Sequence, residues 1–230
     1  MFLDFRASDL ERDNTKKDSR VAGFIVAARE TPLFMRRLVI RNDINISSNA
    51  AKIAILYAAK GPLVLSDVAI GAMIAIDRLS SGGEVWAENI IGGTFAFQGQ
   101  SGVWVRQLNT EGPGVHIRNE GARLWVLGTK TEGNMTLLEN TNGAISELFG
   151  GLAYMVHSDR NKVPYLRNVE GTVTAAFAEE AFFPDAIYET FLESEKEGKP
   201  LQIKGSELPQ RHHSAHMVPQ ISTETGAAVR

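Results

Sequence analysis

Pairs of apolar residues recur along the middle of the chain at a step of about 20 to 21 residues. Each pair skips one residue, which is the alternation of a strand with one buried face. The first series is Ile53/Ile55, Ile74/Ile76, Phe95/Phe97, Val115/Ile117 and Met135/Leu137. The second series is Leu63/Leu65, Val85/Ala87, Val103/Val105 and Leu124/Val126, with Val68, Ile90 and Leu108 at a looser third position. Each repeat therefore predicts two or three short strands.

The constant step favours a solenoid over other all-β folds. Sandwiches and meanders also consist of short strands and turns, but nothing in them holds the step near 20 or 21 residues. A solenoid does, because each coil must place its inward residues over those of the coil below. Strands about 4.8 Å apart then bring the matching side chains of adjacent coils into contact. The sequence predicts an all-β parallel β-helix with coils of about 20 to 21 residues and a C-terminal strand-rich cap.

The run from about Leu33 to Met155 resembles the pectate-lyase-like superfamily of right-handed parallel β-helices. The segment GARLWVLGTKTEGNMTLLENTNGAISELFGG, residues 121–151, is similar to late coils of its bacterial glycosyl-hydrolase-related members. The strands that follow, to about Arg211, resemble the tail that ends such chains. This resemblance implies a right-handed helix and a link to polysaccharides. It implies no single activity, because the fold hosts lyases, hydrolases, epimerases and phage tailspikes. Such chains usually have more coils before this point, which leads us to expect a C-terminal fragment.

The pattern divides the chain into four parts. Residues 1–32 are expected to form an N-terminal cap or a truncated start, and residues 33–170 the parallel β-helix. Residues 171–208 are expected to cap the last coil, which would otherwise expose unpaired strand edges. A small carbohydrate-binding module is the alternative for this part. Residues 209–230 are polar and lack a strand pattern, so they are expected to be disordered.

Composition excludes several kinds of function. The net charge is -3, which gives no general attraction to nucleic acid. The chain has no cysteine, so it holds no disulfide and no thiolate metal site. No signal peptide and no membrane span are expected. The localisation is undetermined, and it would be secreted or cell-surface if earlier coils are missing. No cofactor and no metal site are predicted; His212, His213 and His216 could share a metal, but a solvated tail is the preferred interpretation because no carboxylate or further ligand accompanies them.

Three tryptophans form the most informative pattern for function. Trp86, Trp104 and Trp125 each lie between two inward apolar residues, so all three indoles should project from the outer face of one sheet. Sugars stack on such surfaces, and Arg106 nearby could bond their hydroxyls. These four residues are the predicted substrate-binding set, with Trp104 as the central member. The alternative is that the indoles are buried under a cap or a neighbouring subunit.

Catalytic residues are much less clear. Glycoside hydrolysis needs two carboxylates separated by about 5 to 9.5 Å, which on a solenoid means acids stacked in one column. The predicted outer columns are Asp77–Gln98–Arg118–Leu138 and Glu88–Arg106–Leu127, in which acids stack on neutral or basic residues. Asp77, Glu88 and Arg118 are the best available candidates.

We therefore expect the C-terminal β-helix portion of a polysaccharide-acting or polysaccharide-binding protein that is not catalytically complete alone. Whether it is an enzyme is undetermined. The alternatives are a complete glycoside hydrolase or polysaccharide lyase, and a structural, tailspike-like β-helix. An oligosaccharide partner and oligomerisation are both compatible with the sequence.

Overall fold

The fold is a parallel β-solenoid. A computed structural model describes residues 21–26, 29–40, 53–71, 74–79, 82–156, 162–183, 186–212 and 215–224. Sheet A contains β1 (Val21–Val26), β3 (Ile53–Tyr57), β5 (Ile74–Arg78), β7 (Thr94–Gln98), β9 (Gly114–Glu120), β11 (Met135–Thr141), β13 (Leu166–Val169), β15 (Thr190–Lys196) and β16 (Lys199–Lys204). Sheet B contains β2 (Leu33–Ile40), β4 (Leu63–Ile70), β6 (Val85–Ile91), β8 (Gly102–Glu111), β10 (Arg123–Glu132), β12 (Ile145–Met155), β14 (Thr172–Ala181), β17 (Gln210–His212) and β18 (Ala215–Ser222).

From β1 to β15 successive strands alternate between the two sheets, so each of these coils contributes one strand to each sheet. Pairing is parallel from β1 to β15 in sheet A and from β2 to β14 in sheet B. The strands β16, β17 and β18 pair antiparallel at the C-terminal end. The predicted all-β parallel solenoid is confirmed. Parallel pairing continues past residue 170, and β18 lies in the segment that the sequence predicts to be disordered.

Sheet B follows the predicted register. Leu63, Val85, Val103 and Leu124 pair in sequence, and all are buried. Leu65, Ala87, Val105 and Val126 form the neighbouring inward column. The looser third position is also in register, because Val68 pairs with Ile90 and Ile90 with Leu108.

Sheet A departs from the predicted register after β5. The pairing is irregular between Ile74 and Ile76, so Phe95 lies beside Ile76 instead of Ile74. The resulting inward column is Ile55–Ile76–Phe95–Ile117–Leu138–Leu166–Leu192. Leu138 takes the inward position that the sequence assigns to Leu137, and both are buried. The predicted stack through Val115 and Met135 is therefore wrong.

A left-handed residue occurs at the same place in six strands of sheet B, the even-numbered strands from β2 to β12. The column Arg37–Asp67–Asn89–Gln107–Gly128–Gly150 has φ between 53° and 79° on six successive coils. This conformation interrupts the alternation, so in β4 both Ser66 and Asp67 lie outside while Val68 is buried. Most non-glycine residues adopt it at a cost of roughly 1 to 2 kcal/mol. We call this left-handed position the corner; it separates the two inward-facing stretches of each of these strands.

Three asparagines stack inside the solenoid at the turn from sheet A to sheet B. Asn119, Asn140, Asn168 and Ser194 pair in register and are buried. The Nδ2 of Asn119 donates to Asn140 Oδ1 at 3.2 Å, that of Asn140 to Asn168 Oδ1 at 2.8 Å, and that of Asn168 to Ser194 Oγ at 2.8 Å. Each Nδ2 also donates to a backbone carbonyl of its own turn, at Ala122, Ala144 or Gly171. We call these four residues the asparagine ladder.

The C-terminal end contains a cluster of packed aromatic residues and one buried contact between a histidine and a carboxylate. Tyr165, Phe177, Tyr188 and Phe191 pack with ring centroids 4.9 to 6.0 Å apart. Burial raises the pKa of Tyr165 well above the usual tyrosine range. Beside this cluster His216 Nδ1 lies 2.9 Å from Glu179 Oε2, joining β18 to β14. Glu179 also accepts from the Tyr188 backbone N–H at 2.7 Å, so the cap strand is tied to a buried carboxylate.

Replacing Asn140 by alanine should destabilise the fold. It removes the acceptor of Asn119 and Ser146 and the donor to Asn168, all within the buried interior. Each buried polar group left unsatisfied costs about 1 to 3 kcal/mol, so we expect the free energy of unfolding to fall by roughly 3 kcal/mol. Urea unfolding followed by circular dichroism measures it. Asn134→Ala, at an exposed turn, is the control and should change stability by less than about 0.5 kcal/mol. Equal effects of the two substitutions would contradict a structural role for the ladder.

Candidate functional site

The outer face of sheet B carries the tryptophans. Trp86, Trp104 and Trp125 pair in register on β6, β8 and β10. Each lies between two buried residues of its strand, so the alternation directs its indole away from the core. The predicted column therefore exists on three successive coils.

Two of the indoles stack on each other. The ring centroids of Trp86 and Trp104 are 4.1 Å apart, and the ring planes differ by 12°. Rings that lie face to face across a strand spacing of about 4.8 Å must stand edge-on to the sheet. Mutual stacking therefore occupies one face of each ring, and the pair does not form the flat platform that the sequence suggests.

Neighbouring residues set the direction in which these indoles lean. The Trp86 Nε1–H donates to Glu84 Oε2 at 3.3 Å. The Trp104 ring lies over Gly102, where a Cβ would overlap it. Both rings therefore lean towards the N-terminal end of their strands. The indoles therefore do not cover the next outward residues along the two strands, Glu88 and Arg106.

Trp86 has one ring face that no other indole covers, on the side away from Trp104. Val64 on β4 is the residue in register with Trp86 on that side. Trp86 is 43% exposed, whereas Trp104 and Trp125 are half-buried. Within the part of the chain that the structure describes, nothing covers the column completely. Trp86 is therefore not fully buried within this chain, and burial of the column under a neighbouring subunit stays a prediction.

A second outward column runs beside the tryptophans. It contains Arg36, Ser66, Glu88, Arg106 and Leu127, in that order along successive coils. Arg106 forms an exposed ion pair with Glu88 on the adjacent coil. The predicted stacking of Glu88 on Arg106 is confirmed. Arg106 is thus engaged by a carboxylate while remaining beside the indoles.

An open groove lies between the two columns. Its volume is about 360 Å³, and its sides include Arg36, Val64, Trp86, Glu88, Arg106 and Trp125. This volume is at the lower end of the range of small-molecule sites. One side of the groove is aromatic and the other is polar and charged. Val64 and Ser66 were not singled out from the sequence, although Leu63 and Leu65 already fix Val64 as an outward residue.

The other predicted candidates lie on the other sheet. Asp77 and Arg118 belong to the outer column Asp77–Ala96–Arg118–Glu139 of sheet A, two coils apart. Gln98 and Leu138, which the sequence placed in this column, are not in it. Arg118 Nε lies 3.6 Å from Glu139 Oε2, and Arg167 NH1 lies 3.2 Å from Glu139 Oε1. The structure therefore does not bring Asp77 or Arg118 together with Glu88.

One pair of acids that the sequence analysis missed does stack on adjacent coils. Glu111 and Glu132 pair in register near the end of β8 and β10. Lys130 Nζ contacts both carboxylates, at 2.8 Å from Glu111 Oε1. The hydrogen bond from Lys130 holds the pKa of Glu111 below its usual range. A general acid needs a raised pKa. We therefore interpret Glu111, Glu132 and Lys130 as an ion-pair network.

The buried Arg78 and His216 side chains bond to groups of the solenoid itself. Arg78 faces the interior; burial lowers its pKa to about 10, and its described partners are the Gly82 and Gly99 carbonyls at 3.3 and 3.4 Å. His216 bonds Glu179, whereas His213 and the side chain of His212 lie outside the described residues. Among the described residues no group of three or more His, Asp and Glu side chains could hold a metal. No helix in that part of the chain has the length and hydropathy of a membrane span.

Comparison with known proteins adds no relative to this picture. No protein-family model, no curated protein and no solved structure matches the chain.

The ion pair beside the tryptophans should contribute little to stability. Glu88 and Arg106 are both exposed, and exposed pairs are typically worth less than about 1 kcal/mol. We expect Glu88→Gln and Arg106→Gln each to leave the free energy of unfolding within roughly 1 kcal/mol of the parent, measured by urea unfolding. A larger loss would mean that the pair is structural, and ligand binding by these variants could not then be interpreted.

Proposed function

We propose that this chain is the C-terminal coils and cap of a polysaccharide-binding or polysaccharide-acting protein of the pectate-lyase-like, right-handed β-helix type. Its contribution is to bind the polymer in the groove of sheet B, with no complete catalytic site of its own. The observation that carries this proposal is the exposed Trp86 indole, stacked on Trp104 and facing a groove with a charged opposite side.

The composition of the groove supports a sugar as ligand. A pyranose ring has C–H faces that pack on indoles and hydroxyls that need polar partners. The groove supplies both within one strand pair, through Trp86 on one side and Glu88 and Arg106 on the other. A binding surface for a purely apolar partner would not need the charged column. An exposed aromatic patch with polar borders is typical of ligand and partner sites.

Binding should depend on Trp86 more than on Trp104. Trp86 has the uncovered ring face, whereas Trp104 mainly supports it. All three tryptophans of the chain lie in this column, so intrinsic tryptophan fluorescence reports on the groove alone. We expect soluble β-glucan, homogalacturonan or alginate oligomers to change this fluorescence. Trp86→Ala should weaken the affinity of the responding oligomer at least about tenfold, equivalent to 1.4 kcal/mol.

The matched control is an exposed aromatic residue outside the groove. Phe183→Ala removes such a side chain from the loop after β14 and should leave the affinity unchanged. If none of the three oligomer classes alters the fluorescence or binds by calorimetry, the proposal is wrong. Equal losses from both substitutions would point to a general effect on folding.

Catalysis by this chain alone is not expected. Asp77 and Glu88 lie on different sheets, and the stacked acids Glu111 and Glu132 are bridged by Lys130. We expect no release of reducing ends and no unsaturated products from pectin, alginate or β-glucan. Turnover that disappears in Asp77→Asn or Glu88→Gln would instead favour a complete hydrolase or lyase.

A further inference from the structure

A second groove lies on the outer face of sheet B, on the far side of the corner from the tryptophans. Its volume is about 340 Å³, and the side chains at its borders come from three successive coils: Asn89 and Gln107 in the corner column, and Ile91, Asn109 and Lys130 in the next outward column. We call it the corner groove.

The corner groove adjoins the groove beside the tryptophans. Glu88 and Arg106 border the groove beside the tryptophans. Their next neighbours in sequence, Asn89 and Gln107, border the corner groove. The inward residues beneath the two grooves are three positions apart on each strand, which is at most about 10 Å. One extended ligand can therefore contact both grooves.

Gln107 keeps a left-handed backbone without an evident structural benefit from its side chain. Its φ is 62°, which glycine adopts freely and most other residues adopt only at a cost. The next two coils have glycine at this position, Gly128 and Gly150, so the fold accepts the residue without strain. On the preceding coils Asn89 donates a hydrogen bond to Asp67 at 2.8 Å, which offsets the cost there.

The side chain of Gln107 is exposed and forms no hydrogen bond to another residue in the part of the chain that the structure describes. Backbone strain that is retained without such a bond is a mark of a functional position. Because Gln107 borders the corner groove, a ligand in that groove is the partner that its amide lacks within the chain.

The corner groove suits a neutral ligand that carries hydroxyl groups. Among the described residues that line it, Lys130 alone is charged, and both Glu111 and Glu132 bond its ammonium group. The groove therefore has no unpaired cation for an acidic group. The Gln107 amide offers a donor and an acceptor side by side, which matches two neighbouring hydroxyls. Ile91 is 49% exposed and offers an apolar surface to C–H groups.

We propose that the corner groove is a second sugar-binding subsite, in which the Gln107 amide bonds the hydroxyls and Ile91 packs against the ring. A polymer that reaches both grooves contacts Trp86 in one and Gln107 in the other, and joining the two contacts in one ligand raises its affinity. This inference rests on the proposed polysaccharide-binding function and adds a second subsite with its own residues.

The decisive variant is Gln107→Gly, because it removes the amide and relieves the left-handed backbone at the same time. Calorimetric titration uses hexamers of β-1,4-glucan, homogalacturonan and alginate. The affinity of the responding hexamer should fall at least about fivefold, the typical worth of one hydrogen bond. The midpoint of urea unfolding should be no lower than that of the parent. Loss of binding without loss of stability is a result that a purely structural residue would not give.

Two further variants test the amide itself. Glu197→Gly relieves the same conformation in the turn between β15 and β16, where Glu197 is exposed and has a φ of 53°. It should leave the affinity unchanged. Gln107→Asn keeps an amide and is the non-glycine change best tolerated in this conformation, so it should bind the hexamer more tightly than Gln107→Gly.

A second pair of variants tests the opposite side of the corner groove. Ile91→Ala removes apolar surface from it and should weaken the same hexamer at least about threefold. Leu127→Ala removes an exposed side chain of the same face, 40% exposed, that lines neither groove. It should leave the affinity unchanged.

The outcomes separate this inference from the proposed function. If Gln107→Gly binds like the parent while Trp86→Ala binds more weakly, the second subsite is wrong and the proposed function stands. Unfolding of Gln107→Gly at lower urea than the parent would make the side chain structural and overturn the inference. Unchanged binding by Ile91→Ala would confine the sugar to the groove beside the tryptophans, with the same consequence. If no hexamer binds the parent chain, both proposals fail.

Discussion

Every coil of this solenoid must superpose on the next, and the rest of the structure depends on that constraint. Parallel strands about 4.8 Å apart bring equivalent residues of adjacent coils into direct contact. Residues in register must therefore share a backbone conformation as well as a direction. The corner column from Arg37 to Gly150 keeps a positive φ on six coils even where the residue is arginine or glutamine. At these positions the stacking of the coils outweighs the conformational preference of the individual residue.

The same constraint makes polar residues acceptable inside. A single buried asparagine would leave donors and acceptors without partners, but Asn119, Asn140 and Asn168 supply each other. After β14, sheet B continues with the antiparallel strand β18 and not with another parallel coil. There Glu179 takes the inward position and is satisfied by His216 from the antiparallel strand β18 and by the Tyr188 backbone. The cap thus replaces the stacking partner that a next coil would have supplied.

These interactions explain which parts of the structure could be predicted from the sequence. Sheet B was predictable because its inward residues before the corner are apolar on every early coil, although the step there varies. Sheet A was not, because Arg78 and the asparagines occupy inward positions and interrupt the apolar pattern. Because Leu137 and Leu138 are adjacent and both buried, the sequence also does not show which residues of β11 point inward. Likewise the tryptophan column followed from alternation, whereas the stacking of Trp86 on Trp104 depends on side-chain rotamers and on Gly102. The β4 side of the groove was missed because its residues, Val64 and Ser66, are small and carry no motif.

The stacking of like residues also limits what an outer face can bind. Aromatic residues on every coil consume their own ring faces, so a continuous column offers a ligand mainly ring edges. The end of the column changes this, because the last ring keeps one face without an indole against it. In this chain Trp86 is that ring: Val64 is the residue in register beside it on β4, and Trp86 is 43% exposed. A solenoid therefore offers a ring face to a ligand where a column of aromatic residues ends.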